Sequence, residues 1–371
     1  MQKNFDTSDY DVAVVGGGLV GMAIAFGLAK RGQKVIVCDG EDNSLRAARG
    51  NFGLVWVQGK GTKCTNYARW SLHSADTWQD FSDDLEARTG VSVAFERPGG
   101  FNIAMQPGEL ATKAAMMQGL FEAEPRLKYE VLDRNALAER LPAIGPDVAG
   151  AIYSPNDGHV NPLYTLRALF AAYEQAGGEY APNARVSDIT PSGGAFRLTV
   201  GDSTLNAGRV VLAAGLGNRT LAPMVGLSAP VKPLRGQILV TERVQPFLAY
   251  PTIYVRQTVE GSVMVGDSAE DVGFDDNVTP DVLGDIARRA IAPFPILKNV
   301  RLVRAWGALR VMTPDGLPIY EESTAYPGAF LATCHSGVTL AAAHCETIAP
   351  WILGADRPTL LDSFYAKRFA V

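Results

Sequence analysis

Near the start of the chain, Asp11-Val-Ala-Val-Val-Gly16-Gly-Gly18-Leu-Val-Gly21 leaves few folds open. Residues 12–15 read as a short buried strand, and three consecutive glycines break it. Residues 19–30 then read as a helix closed by Gly32, and residues 34–38 as a second strand ending at Asp39. This is a βαβ unit, and its glycines have separate steric tasks. Gly16 permits a tight turn, Gly18 lets backbone approach a pyrophosphate, and Gly21 lets the helix pack closely on the strand. The anion would sit at the helix N-terminus, where unpaired N–H groups and the macrodipole favour negative charge. Asp39 stands where a carboxylate accepts hydrogen bonds from a ribose. Ala25 and Gly32 keep the small-residue spacing beyond the turn. The register predicts a dinucleotide site; a tight packing turn is the bland alternative.

Composition narrows the class. A chain of 371 residues, 47% hydrophobic and 20% charged, has material for two to three domains with a real core. Its net charge is −5 and its basic residues are scattered, which argues against nucleic-acid binding. Cys38, Cys64, Cys334 and Cys345 form no C-x-x-C pair and no zinc spacing with the histidines. They read as free thiols in a reducing cytoplasm, with no metal. Residues 1–9 lack the basic and apolar regions of a signal peptide. Residues 12–29 form a long uncharged run, but Gly16 to Gly18 interrupt it, so no integral membrane segment is expected.

Further along, residues 62–87 look helical, 91–105 like strands, and 108–140 like two helices, the second capped by Asp133. Asn161-Pro162 is a helix start with the cap followed by proline at N1, and Thr279-Pro280 repeats that logic. Three short strands are expected around Val186, at 196–200 and at 210–213. Residues 231–267 are strand-rich, with Gly266-Asp267 as a hairpin strand end, and 337–353 read as the final long helix. Nucleotide-type elements recur at the start, middle and end, which implies two interleaved domains.

The last seventy residues hold the second half of the argument. Arg310 lies in the apolar stretch Trp306-Gly-Ala-Leu-Arg310-Val-Met. Such an arginine pairs with an acid or binds an anion, and its planar fork suits a carboxylate. Tyr254 would add a phenol hydrogen bond to that anion, or be an ordinary strand tyrosine. In His335-Ser-Gly-Val-Thr339, a helix start at Ser336-Gly337 would point at the pyrimidine edge of a flavin, with Thr339 in its first turn. An ordinary serine-capped helix is the alternative. On spacing alone His73, His159 and His335 are structural, and Lys60 is either a solvated loop residue or part of an active site.

Taken together, several segments resemble the D-amino acid oxidase-like superfamily of FAD-dependent oxidoreductases, which includes glycine and sarcosine oxidases. They are the Gly16/Gly18/Gly21 turn with Asp39, Val210-Val-Leu-Ala-Ala-Gly215, Pro233-Leu-Arg-Gly-Gln237, Trp306 to Arg310, Thr313-Pro-Asp-Gly-Leu-Pro318 and the His335 to Thr339 turn. Asn51-Phe-Gly-Leu-Val-Trp-Val-Gln-Gly-Lys-Gly61 looks like one branch of it. That branch contains the flavin subunits of opine oxidase and hydrogen cyanide synthase, and D-hydroxyproline dehydrogenase.

The resemblance implies an α/β fold, with a Rossmann-like FAD domain (1–85, 150–225, 305–371) interleaved with a substrate domain (86–149, 226–304) built on an antiparallel sheet. It implies oxidation of an amino acid C–N bond by hydride transfer from Cα to flavin N5, followed by imine hydrolysis. Around the cofactor it implies Gly16, Gly18, Leu19, Val20, Gly21, Asp39, Gly40, Ala48, Arg49, Asn51, Phe52, Gly53, Leu54, Val186, Ala214, Gly215, Gly307, Arg310, Ser336, Gly337, Val338 and Thr339. Around the substrate it implies Arg310 as carboxylate clamp, with Tyr254, Trp56, Lys60 and His335, and no side-chain base. A dicarboxylate substrate would need a second cation, with Arg256, Arg235 and Lys60 as candidates.

Three departures refine this. No cysteine lies within 308–312, so FAD is expected to be noncovalent. Val311 replaces the usual proline, and Thr339 stands where some sarcosine oxidases carry lysine, which argues against sarcosine. The expected substrate is a secondary amine of opine, hydroxyproline or iminodiacetate type, with a primary amino acid as the alternative. A second class of reading is a flavin-carrying subunit of a hetero-oligomer. Oxygen, a quinone or a partner protein would accept the electrons. The expected location is cytoplasmic, free or peripheral to the inner membrane face.

Overall fold

A computed structural model of the chain describes residues 9–40 and 47–369. The signal-peptide reading of the first eight residues lies outside them. The N-terminal unit forms as its sequence requires: β1 (Asp9–Val15), α1 (Leu19–Ala29) and β2 (Val35–Cys38). The two strands are parallel, in a register running from Val12 opposite Val35 to Val15 opposite Cys38. Ten of the eleven residues of α1 are buried, so this apolar helix is an interior layer rather than a surface one.

The next strands along the chain are β3 (Leu54–Val55), β4 (Gly100–Ala104), β5 (Glu130–Asp133), β6 (Gly150–Ser154), β7 (Gly158–His159), β8 (Glu179–Ala181) and β9 (Val186–Ser192). They are followed by β10 (Ala195–Val200), β11 (Ser203–Leu212), β12 (Lys232–Arg243), β13 (Val255–Gln257), β14 (Ser262–Gly266), β15 (Leu302–Met312), β16 (Ile319–Glu322) and β17 (Ala329–Thr333). The large sheet has the order β16-β17-β11-β1-β2-β8, with β9 and β10 as a hairpin beside β11. Its centre is parallel and covered on both faces, as apolar parallel strands demand. The antiparallel sheet β13-β14-β12-β15 and the three-stranded β4-β6-β5 stand apart from it.

The segments 1–85, 150–225 and 305–371 supply every strand of the large sheet. Two of their limits cut across pairing, however. Position 305 falls inside β15, and position 150 opens β6, whose partners β4 and β5 lie in 86–149. The division into a cofactor and a substrate domain stays our proposal.

Helices α2 (Thr65–Thr89), α3 (Pro107–Ala123), α4 (Arg134–Arg140) and α5 (Pro162–Gln175) lie close to their expected places. The Asp133 carboxylate accepts from Ala136 N–H at 2.9 Å. The Asn161 side chain accepts from Leu163 N–H and Tyr164 N–H at 3.0 and 3.2 Å. Replacing Asn161 with alanine should therefore cost about 1 kcal/mol in a denaturant titration; no change would show that α5 does not need its cap.

Three expectations need correction. Of residues 91–105 only β4 is a strand. Thr279 does not cap the helix Pro280–Ile291 with its side chain, because its hydroxyl accepts from the Gln237 amide at 3.0 Å. The final helix is not continuous from 337: regular turns run at Ala341–Ala343 and Ala349–Ile352, with a wider π turn at His344–Ile348 between them. Pro350 has no N–H to offer the carbonyl four residues back, and the wider turn absorbs that loss. This stretch also packs tightly on α1, since a side-chain carbon on Gly27 would lie 2.5 Å from the Cys345 carbonyl oxygen.

Candidate active site

The turn after β1 is shaped by contacts that leave no room for side chains. Gly16 has φ +112°, and a Cβ there would lie 2.5 Å from the Ala213 carbonyl oxygen. A Cβ on Gly21 would lie 1.9 Å from the Gly16 carbonyl oxygen. Gly18 differs: among the described residues the nearest atom to its Cβ position is in Ala48, at 3.7 Å. Among the described residues the N-terminus of α1 has no side-chain cap, and its first turn holds no acid. Its donors are thus left for an anion, and Leu19 and Val20 form its first residues.

Asp39 is fully buried at the end of β2, and its carboxylate accepts from Gly17 N–H at 2.5 Å. The Asp39 carbonyl accepts from Ala184 N–H at 2.6 Å, and Gly40 packs against Arg185, next to the buried Val186. A glycine cradle, an uncapped helix end and a buried acid at the second strand therefore meet at one place. These residues fit a dinucleotide.

Distant segments close on this cradle. Gly337 packs on Val20, with its Cβ position 3.4 Å from the valine methyl. Ser336 hydrogen-bonds the Tyr67 hydroxyl at 2.8 Å, and Val338 is buried. Ala214 and Gly215 follow β11, and Gly215 (φ +58°) meets Val311. The segment 48–54 lies between these elements and the antiparallel sheet. Ala48 faces Gly18, Arg49 lies in the turn, and Asn51 accepts from Gly53 N–H at 2.8 Å. The Phe52 carbonyl accepts from Arg256, and Leu54 opens β3.

One face of the four-stranded sheet looks onto that segment. Trp306 donates to the Gly50 carbonyl at 3.2 Å, and a Cβ on Gly50 would lie 2.4 Å from that of Ala308. The ring of Phe52 lies against Gly266, and Arg310 lies over Gly236. Alternation along β15 places Trp306, Ala308 and Arg310 on this face and Gly307 on the other. Gly307 accordingly meets the Asp276 carbonyl oxygen, 2.5 Å from its Cβ position, rather than the cradle. Its lack of a side chain is explained by that contact.

The five expected substrate residues fall in two neighbouring groups. Arg310 pairs with Asp267 and donates to the Ser268 and Arg235 carbonyls at 2.7 and 3.3 Å. Tyr254 lies just before β13, its ring under the Arg289 guanidinium at 4.1 Å, and Arg289 in turn donates to the Asp267 carbonyl. Across the site, Thr339 joins Trp56 and Lys60: its hydroxyl accepts from Trp56 N–H at 3.2 Å and from the Lys60 ammonium at 3.1 Å. The Trp56 indole N–H is buried and has no hydrogen-bond partner among the described residues. His335 links the groups. Its pKa is lowered to about 4, first by burial and then by the Lys60 and Arg310 charges. The residue is nonetheless exposed to solvent.

Burial also lowers the Lys60 pKa to about 7, against the opposing pull of Cys334 and Asp157. A lowered folded pKa means that the unfolded chain binds more protons between about 7 and 10.5. The contribution of Lys60 to stability should therefore rise with pH across that window. Thermal melts of wild type and Lys60→Met from pH 7 to 10 check this: wild type should gain on the variant as pH rises, and parallel curves would refute it.

The fold and site define a flavin-dependent oxidoreductase acting on amino acids or amines, with FAD as cofactor. Residues 11–351 match the DAO family model, FAD dependent oxidoreductase, and the chain belongs to that family. An opine oxidase subunit of Agrobacterium tumefaciens is 45% identical over 97% of this chain and 98% of its own. The HcnC subunit of hydrogen cyanide synthase from Pseudomonas aeruginosa is 27% identical over 97% and 96%. The crystal structure of glycine oxidase from Geobacillus kaustophilus superimposes with a TM-score of 0.93 at 25% identity, over 98% of this chain and 100% of that one. Among the described residues no helix is long and apolar enough to cross a membrane.

Sequence reasoning passes over Asp267, Arg289 and Asp157. Gly266-Asp267 is expected to end a hairpin strand, and β14 does end at Gly266. The pairing of Asp267 with a residue 43 positions away leaves no mark in the sequence. Asp157 is fully buried and accepts from Val57 and Gln58, which fixes the turn leading to Lys60. Burial raises its pKa to about 6. Thr339 is expected to face the flavin, and its four hydrogen bonds, to Leu54, Trp56, Lys60 and Trp78, make it a hub that ties segment 54–60 to the C-terminal turn.

Proposed function

We propose that this protein oxidises the C–N bond of a small secondary amino acid of the opine, iminodiacetate or hydroxyproline type. The observation that carries the reading is Arg310, a guanidinium on the sheet face beside segment 50–53, with Tyr254 and His335 at hand. The likeness to the Agrobacterium opine oxidase chain supports the substrate class. Bound, noncovalent FAD would take up the hydride from the substrate α-carbon, leaving an imine for water to hydrolyse.

The cradle of Gly16, Gly18 and Gly21 would hold the pyrophosphate, and Asp39 the ribose. Arg310 would clamp the substrate carboxylate in two parallel hydrogen bonds. The indole N–H of Trp56, without a hydrogen-bond partner among the described residues, offers a further donor, and His335 is a neutral ring at pH 7. No side chain is assigned as base. For a second carboxylate, Arg235 is removed as a candidate because Glu270 and Asp275 already hold it at 2.7 and 2.6 Å. Arg256 is buried, touches the Phe52 carbonyl and the Met264 sulfur, and has no carboxylate within ion-pair distance among the described residues. It is the better candidate.

A second reading is that the chain works as the flavin-carrying subunit of a hetero-oligomer, because both opine oxidase relatives and the cyanide synthase relative are named as subunits. A primary amine such as glycine is a third, supported by the glycine oxidase likeness.

The test is anaerobic bleaching of the purified FAD-loaded chain by iminodiacetate, opines, hydroxyproline, D-proline, sarcosine and glycine, followed by air. Bleaching by secondary amino acids supports the main reading, and recovery in air identifies oxygen as acceptor. Bleaching by glycine alone selects the primary-amine reading. No bleaching by any of them sinks the stand-alone enzyme for these substrates.

A further inference from the structure

The guanidinium that this reading gives to the substrate already holds a carboxylate of the chain itself. One edge of Arg310 is fastened by the Ser268 and Arg235 carbonyls at 2.7 and 3.3 Å, and its other nitrogen pairs with the Asp267 side chain. Arg310 keeps 19% of its side chain accessible and Asp267 keeps 42%. The pair therefore lies at the mouth of the clamp rather than inside a sealed core. Arg310 is the sole side-chain partner of the Asp267 carboxylate among the described residues. Arg289 takes the backbone carbonyl of Asp267 and stacks on Tyr254, which fixes the position of the residue while leaving its carboxylate free to turn. The other acids nearby, Glu270 and Asp275, are taken up by Arg235.

The charge balance of this arrangement selects its ligand. A plain carboxylate reaching Arg310 must displace Asp267 and leave that carboxylate without its ion pair, which costs free energy in a partly desolvated site. An amino acid carries its own remedy. Its carboxylate takes Arg310, and its protonated amine, two bonds away, offers N–H donors to the displaced Asp267. Resting on the assignment of Arg310 as carboxylate clamp, we propose that Asp267 determines specificity: it occupies the clamp in the free enzyme and receives the substrate's cationic nitrogen in the complex. The site thereby discriminates amino acids from carboxylic acids of the same shape.

Iminodiacetate and diglycolate test this, because they differ only in a charged secondary amine against an ether oxygen. Dissociation constants would be measured on the FAD-loaded, full-length protein under anaerobic conditions. Flavin absorbance changes report diglycolate, and the concentration dependence of bleaching or of the absorbance change reports iminodiacetate. Wild type should prefer iminodiacetate by about tenfold or more, a factor corresponding to about 1.4 kcal/mol. Asp267→Asn should bring the ratio near one, largely by tightening diglycolate, while Arg310→Gln weakens both ligands. An unchanged ratio in Asp267→Asn, with Arg310→Gln still weakening both, overturns the role of Asp267 and leaves the clamp standing. Undiminished binding in Arg310→Gln, or binding of neither ligand to wild type, overturns the clamp and the inference with it. FAD content and melting temperature serve as folding controls, and Asp267→Ser repeats the comparison if the asparagine variant folds poorly.

Discussion

Arg310→Ala should lower kcat/KM by about two to three orders of magnitude, the range expected when one partner of a desolvated, hydrogen-bonded charge pair is removed. The loss should appear mainly in KM, because the clamp holds a carboxylate that does not itself react. Arg310→Lys should recover only part of it, since an ammonium has charge but no planar fork. FAD content should stay near wild type: the guanidinium lies on the sheet face over Gly236, whereas the cradle is built by the turn after β1. Steady-state kinetics with any substrate that bleaches the flavin, together with the ratio of flavin to protein absorbance, decides the matter. Full activity in Arg310→Ala would mean that the ion pair with Asp267 is structural and that the clamp lies elsewhere.

The second large effect is on the cofactor, where two nearby glycines should respond differently. Gly21→Ala places a methyl 1.9 Å from the Gly16 carbonyl oxygen, so the turn must open and the helix must shift. Overpacking of that kind costs about 1–3 kcal/mol, and here it also spoils the cradle. This variant should purify with little flavin and a lowered melting temperature. Gly18→Ala meets no atom of the described residues nearer than 3.7 Å. Its apoprotein should melt like wild type, while its affinity for FAD should fall by about tenfold or more as the methyl crowds the approaching phosphates. Apoprotein melts and FAD titrations separate the two outcomes. A Gly18→Ala protein that binds FAD normally would remove Gly18 from the phosphate site.

How legible the molecule is depends on the range of the signal. The βαβ unit can be read directly, because strand, glycine turn, helix and acid lie within thirty residues and each step is local backbone chemistry. The Asn161-Pro162 helix start is readable for the same reason, and Asn161 does cap α5. Thr279-Pro280 looks alike and forms a helix, but its side chain is claimed by Gln237, 42 positions away. The final helix shows a similar limit. The sequence suggests one rod from 337, whereas the side chain of Thr339 is drawn into contacts with 54–60 and Pro350 forces a wider turn.

By itself, then, the sequence determined the glycine turn after β1, the parallel unit around it, and the kinds of residue available for an anionic substrate. Those follow from glycine sterics, hydrophobic periodicity and the chemistry of single side chains. Only the tertiary structure decided which charges meet. It paired Arg310 with Asp267, satisfied Arg235 with Glu270 and Asp275, left Arg256 buried without an acid within ion-pair distance among the described residues, and set His335 where the Lys60 and Arg310 charges both act on it. Local pattern cannot carry that information, because the energy of an ion pair depends on distance and desolvation across strands brought together by folding.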